Sequence, residues 1–377
     1  MTDRFPILPR SILRSLPRRA TLAIMISGVF VGLTSPVSLS ARPHSPANEV
    51  QLRLTEQDSG TRVLLQAISA VDDRVVWVSG HMGTLLRTTN GGRDWSARVV
   101  PGADTLEFRD VDAFDARTAY LMSSGPGRLS RIYRTDDGGG TWTLQFMNEH
   151  PDGFLDCMAF WDRERGLAYG DAIEGGLFVL RTEDGGASWL RVPPEELPAA
   201  QAGEGGFAAS GSCVTTGSGG RAWIATGNGE AARVLRTEDE GRTWQSNSAP
   251  VVGGPAAGLT TIDVLDDGRG IASGGVLGQD TLRVDNVVLT PDGGRTWTKG
   301  GRPVMAGPVY GSSWVPGAEG PTVFAVGPGG GDYSLDGGLS WRSATAVTYW
   351  SVSFASPSAG WAVGPNGRIL HLAFVGD

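Results

Sequence analysis

The stretch Thr290–Trp297, TPDGGRTW, is one of six versions of a single octapeptide that closes on tryptophan. The others are TTNGGRDW at 88–95, TDDGGGTW at 135–142, TEDGGASW at 182–189, TEDEGRTW at 237–244 and SLDGGLSW at 334–341. Their tryptophans stand 47, 47, 55, 53 and 44 residues apart, a period typical of architectures in which each repeat buries a face against its neighbours. The chemistry of each copy is that of a hairpin turn. An acidic side chain accepts backbone N–H groups across the turn, glycine supplies φ > 0, and Ser or Thr adds a local hydroxyl bond. The acceptor positions are Asn90, Asp137, Asp184, Asp239, Asp292 and Asp336. Only the first copy departs, with Asn90 in place of the acid and Asp94 before the tryptophan.

Working outward from the turns, the chain repeats one strand pattern. In the first unit Leu65–Val71, Val75–Gly80 and Thr84–Thr89 read as three strands, and Trp95–Val100 follows the turn as a fourth. The second strand closes on glycine at Gly80, Gly170, Gly227, Gly274, Gly327 and Gly364, and more loosely at Gly125, which makes seven units. The last unit, from Tyr349 to Phe374, ends without a turn or a fourth strand. EVQLRLTE at 49–56 precedes the first unit and can supply it, covering an otherwise bare edge. The expected fold is therefore all-β: one seven-bladed β-propeller over residues 49–377, its last blade closed by the N-terminal strand. Such a ring accounts for much of the 56 Gly and half of the 12 Trp in 377 residues.

Ahead of the propeller, Arg4, Arg10, Arg14, Arg18 and Arg19 precede an apolar run at 20–33, and Ser38-Leu39-Ser40 offers small residues at a cleavage site. That layout is a secretory signal peptide over 1–40, followed by a linker at 41–48. The run is shorter than the roughly 20 residues a membrane span needs, so no stable span is expected in the mature chain. Arg18-Arg19 also leaves the twin-arginine route open, and the expected location is the periplasm. Removing 1–40 takes the formal charge from −8 to about −12, a poor balance for binding nucleic acid. The single lysine, Lys299, argues against a P-loop or a Schiff-base mechanism.

Cys157 and Cys213, the only two cysteines, stand 13 and 14 residues before Gly170 and Gly227, at matching places in neighbouring inner strands. A disulfide there is open to an exported chain, while two buried thiols is the slightly favoured reading of the residues alone.

The octapeptide resembles the Asp-box, or BNR repeat, of sialidases and sortilin-like receptors. With GWAVGPNGRIL at 360–370, the mature chain also resembles the photosystem II stability/assembly factor family over nearly its whole length. FRDVDAF at 108–114, GFLDCMAFWDRERGLAYGDA at 153–172 and GEGGFAASGS at 203–212 look closer to that family's relatives outside photosynthetic organisms. The resemblance implies an exported, non-enzymatic protein that binds a protein or peptide partner. Photosynthetic members carry arginines on one propeller face. The bacterial relatives are loosely labelled oxidoreductases, and sialidases share the turn, so a glycosidase-like or a cofactor-dependent enzyme is the alternative.

The motifs for those alternatives are weak. Nothing in 49–87 matches the sialidase arginine motif, and GNGEAA at 227–232 leads into a strand where a dinucleotide site needs a helix. His44, His81, His150 and His371 are scattered without metal-ligand spacing, so no metal, cofactor or catalytic residue is assigned. A ligand is expected on the rim formed by the inter-blade loops and the second-to-third-strand loops. The candidates there are His81, Arg109, Asp156, Asp171, Glu174, Glu204 and Phe207, with Asp110, Glu149, His150 and Glu230 nearby. The long connection Arg191–Gly206 stands out, since long loops on rigid scaffolds often carry function. A monomer is expected.

Overall fold

The computed structural model describes residues 50–376, so the signal segment and linker lie outside the described residues. Seven antiparallel sheets of four strands each follow one another along the chain, and their inner strands touch in a closed cycle around a channel. Blade 1 runs Leu65–Ala70, Val76–Gly80, Thr84–Thr88 and Ser96–Val99, within a residue or two of the expected strands. Blade 7 takes Ser351–Ser356, Ala359–Val363 and Ile369–Val375 from the end of the chain and Gln51–Gln57 from its start. Gln51 pairs with Val375 and Gln57 with Ile369, so the strand begins two residues and ends one residue later than the 49–56 expected. No helix among the described residues is long and apolar enough to cross a membrane.

The octapeptide turns follow one hydrogen-bond scheme. In the second copy, Thr135 Oγ1 donates to Asp137 Oδ1 at 2.9 Å and accepts the Gly139 N–H at 3.0 Å. Asp137 then accepts from both the N–H and the hydroxyl of Thr141, at 2.9 and 2.8 Å. These bonds hold the Asp137 carboxyl down at about 2. The four later copies repeat the scheme atom for atom. The first copy reverses one bond: Asn90 Nδ2 donates to Asp94 Oδ2, so acid and donor have exchanged ends. In the fourth copy Glu240 takes the left-handed place that glycine holds elsewhere, at φ 61°.

Three blades also reach into the turn of the next. The outer-strand side chains of Arg98 and Asn247 donate to Gly139 O and Arg295 O in the following blades. Gln57, on the N-terminal strand, does the same for blade 1, donating to Gly91 O and accepting from Trp95 Nε1 at 3.1 Å. On second strands, Trp77, Trp223 and Trp361 are wholly buried between blades. Trp223 Nε1 also donates to Gly293 O of the next blade at 2.8 Å.

The inner strands present one unpaired edge to the channel, and side chains of the preceding blade satisfy part of it. Ser69 Oγ accepts the Ala113 N–H, Asp112 accepts that of Phe160, Asp263 that of Trp314, and Ser353 that of Ala70. Those four residues occupy equivalent positions opposite Trp77, Tyr120, Ile271 and Trp361. Burial pushes the carboxyls of Asp112 and Asp263 up to about 6 despite these bonds. Deleting residues 50–57 strips blade 7 to three strands and removes Gln57 from the blade 1 turn. We expect a lower urea midpoint, with association through the bared edge visible as a mass increase on size-exclusion chromatography; an unchanged midpoint and mass would contradict this closure.

Candidate functional site: the loop rim and channel mouth

Second strands end, and inner strands begin, at the same face of the ring, so their connections form the rim. The long connection beginning at Arg191 contains a short 3-10 turn at Pro194–Glu196 and does not stop at Gly206. Residues 204–212, EGGFAASGS, come from the blade 3 outer strand, bridge at Gly205 to Gly227 of blade 4, cross the mouth of the channel and lead into Cys213 at the head of the blade 4 inner strand. Contacts with all six other blades seat this strap, blade 5 through the Ile262 N–H, which donates to Ser212 O at 2.9 Å, and through Ser212 Oγ, which donates to Thr261 Oγ1 at 2.8 Å.

Blade 3 holds its entry. Gly206 N–H donates to Asp156 Oδ2 at 3.1 Å, and Ala172 N–H to Glu204 O at 3.0 Å. A Cβ on Gly205 would lie 1.8 Å from Asp171 Oδ1, so only glycine fits this approach. Blades 1 and 2 hold the middle: Ala208 O accepts from Gln66 Nε2 at 2.7 Å and from Arg109 Nη1 at 3.5 Å. Blades 6 and 7 hold the far side. Ser210 Oγ donates to Tyr310 O at 2.7 Å, and Ser351 Oγ to Ser210 O at 2.9 Å. Phe207 packs with Ala209 and Tyr310 against the partly buried Leu277 and Trp350. Beneath the strap lies a channel cavity of about 280 Å³ whose walls include Ser69, Asp112, Asp263, Ser312 and Ser353.

Six of the seven rim candidates therefore gather around this strap. His81 is half-buried, within 2.6 Å of Gln66 Oε1 and 3.6 Å of Glu107 Oε1; desolvation lowers its pKa against the pull of Glu107. Glu107 in turn binds Arg109 Nη2 at 2.6 Å. Asp156 is buried and its carboxyl is raised well above the usual range, first by desolvation and then by Asp171. Asp171 is raised to about 6 by desolvation. Glu204 is buried and grips Arg233 through both oxygens at 2.6 Å. Phe207 is the strap's own apolar anchor. Glu174 stands apart, exposed in its turn and 3.7 Å from His150. Glu230 is an exposed turn residue, while Asp110 lies in the channel wall, accepting the Met158 N–H at 2.6 Å.

The favoured reading of two separate thiols does not hold, because Cys157 and Cys213 are joined by a disulfide with 5.8 Å between their Cα atoms. Adjacent inner strands converge toward the channel, which brings the two sulfurs into bonding range. GNGEAA behaves as a turn: Asn228 is left-handed at φ 62° and the next strand begins at Arg233. Nothing in the sequence marks Gln66, Glu107, Arg233 or Ser351, although the glycine density of GEGG signals a close backbone approach, here to Asp156 and Asp171.

This ring and its sealed mouth define a seven-bladed β-propeller with a rigid, loop-built face. No protein-family model matches the chain. In sequence it is similar to the photosystem II assembly protein Ycf48 of Synechococcus sp. (strain JA-2-3B'a(2-13)), 26% identical over 264 residues that cover 59% of this chain and 70% of the relative. In fold it matches the solved structure of YCF48 bound to D1 peptide, with TM-score 0.60 and 18% identity over 89% of this chain and 99% of that one. It also matches YCF48 from Cyanidioschyzon merolae, at 0.59 and 15% over 85% and 98%. The WD40 propeller domain of Doa1 gives 0.55 and 14% over 87% and 97%. The resemblance to the photosystem II assembly factors read from the sequence is thus present in both comparisons.

Two outcomes follow from the strap's clamps. Asp171 holds a proton in the folded state up to about pH 6, against an ordinary value of 3.8. Its contribution to stability is full below the ordinary value and is lost as pH rises through about 6. Urea unfolding of Asp171→Asn should therefore lose less stability across that window than the wild type; an identical pH slope would contradict it. Glu204→Ala strands the Arg233 guanidinium, and urea unfolding should show a loss of about 3–5 kcal/mol.

Proposed function

We propose that this protein is an exported, non-enzymatic propeller that holds an extended segment of a partner protein against its loop rim. One observation carries the reading: the strap fills the mouth of the channel, and Asp156, Asp171 and Glu204, the carboxylates a glycosidase would keep in an open cleft, are engaged by strap backbone or by Arg233. What the rim offers instead is a firm surface with scattered apolar side chains. Met82, Leu129, Leu282 and Val304, all on rim connections, are 62, 44, 41 and 46% exposed. Such side chains on a rigid scaffold suit an extended peptide, whose ordering cost is offset by burying them. The likeness to a YCF48 structure that contains a D1 peptide supports the same class of partner.

The layout of residues 1–40 supports export to the periplasm, and a disulfide fits an oxidising compartment. In the same reading the six octapeptide turns are Asp-boxes with a purely structural role, the ring acts as a monomer, and the arginines of the turn face pair locally with Asp and Glu.

Affinity capture from periplasmic extract with quantitative mass spectrometry tests the rim. Met82→Asp combined with Leu129→Asp should lower recovery of the partner at least tenfold, while Leu339→Asp on the turn face leaves it unchanged. Equal recovery with all three proteins, or loss only with Leu339→Asp, would overturn the assignment of the binding face.

A further inference from the structure

We propose that Met82 is a site of reversible oxidation by peroxide, and that its sulfoxide loosens the hold of the rim on a partner segment. The inference rests on the rim as the binding face and adds a chemical control over one of its apolar contacts.

The argument begins with a backbone that does not favour the side chain it carries. Blades 1, 3 and 7 join their second and third strands through two consecutive left-handed residues. These are Met82–Gly83 at φ 56° and 65°, Glu174–Gly175 at 54° and 78°, and Asn366–Gly367 at 60° and 70°. A turn with φ > 0 at both central residues favours Asn-Gly or Asp-Gly, because a short polar side chain tolerates the left-handed region. Blade 7 follows that preference and blade 3 carries an acid, whereas blade 1 carries methionine. Burial does not compensate for the strain, since Met82 is 62% exposed. An apolar side chain held outward on an unfavoured backbone points to something it meets outside the blade.

The turn beneath it is firmly seated. The His81 and Gly83 N–H groups donate to Leu64 O and Leu106 O at 3.0 and 2.8 Å, and Gly83 O accepts the Val100 N–H at 2.9 Å. A Cβ on Gly83 would lie 2.3 Å from Ala103 O, so the turn sits flush on the connection to blade 2. A change at the Met82 thioether therefore alters the rim surface and leaves the blade intact.

Access singles out the same residue. Met122, Met158 and Met305 are buried and Met147 is partly buried, so Met82 is the one exposed methionine among the described residues. Peroxide reaches it with no opening of the fold. The thioether sulfur attacks one oxygen of hydrogen peroxide and the O–O bond breaks. Sulfur gains that oxygen and is oxidised by two electrons, and the other oxygen, reduced, leaves as water. The product is a polar sulfoxide, whose oxygen loses its water when a partner segment covers it. Methionine sulfoxide reductase, drawing two electrons and two protons from a dithiol, removes the oxygen as water and restores the thioether.

The modification and its consequence are measured separately. After brief hydrogen peroxide treatment of the folded protein, peptide mass spectrometry should show the gain of one oxygen at Met82 at least tenfold faster than at Met122, Met158 or Met305, with the urea midpoint unchanged. With the peroxide removed before capture from periplasmic extract, recovery of the partner should fall at least fivefold and return after treatment with methionine sulfoxide reductase and dithiothreitol. Met82→Leu should show no further fall on peroxide treatment. Oxidation spread evenly over the methionines, a peroxide effect that persists in Met82→Leu, or full recovery with Met82 oxidised would each overturn the proposal. In all three cases the rim assignment stands if Met82→Asp with Leu129→Asp still lowers recovery. Equal recovery with that double variant overturns the rim and this control together.

Discussion

The inner edge of each blade is the constraint on which the rest of this structure depends. A strand facing a channel has N–H and C=O groups that its own sheet cannot pair, and leaving them unsatisfied is costly. Here the preceding blade supplies acceptors from one recurring position, as Ser69, Asp112, Asp263 and Ser353 show. Such an arrangement works only in a closed cycle, since an open end would leave one blade without a donor of side chains and another without a recipient. The N-terminal strand meets that demand twice, by completing blade 7 and by sending Gln57 into the turn of blade 1.

The same logic reaches its limit at the channel mouth, where seven inner strands converge and little side-chain volume is available to fill the space. The chain resolves this by running its own backbone across the opening. Carboxylates that would look reactive in isolation, the buried Asp156 and the half-buried Asp171 among them, lose solvent to that backbone. Their raised pKa values follow from desolvation and do not by themselves indicate catalysis. In the proposed reading the partner meets the outer surface of the rim, where apolar residues such as Met82 stay uncovered.

The fold was legible in the sequence because its determinants are local and repeated. An octapeptide whose first, third, fifth and seventh residues share one hydrogen-bond scheme can be recognised without any tertiary information, even where Glu240 replaces glycine or Asn90 exchanges roles with Asp94. The strap was not legible in the same way. Gln66 and Ala208 are 142 residues apart, and Ser210 and Ser351 are 141 apart, so neither pairing leaves a spacing to read. Only its glycines hinted at close approach. The rim candidates all lie on the loop face, yet six of them converge on the strap and Glu174 does not, a distinction set by burial. The disulfide was hidden for a related reason: residue type favours buried thiols, whereas the bond depends on how closely two inner strands converge.

Site-specific photo-crosslinking in the native cell tests most directly whether the rim is where this propeller meets its partner. A photoreactive residue at Met82 should form covalent adducts with one partner segment, and the same residue at Leu339 on the turn face should form none. Adducts confined to Leu339 would contradict the account.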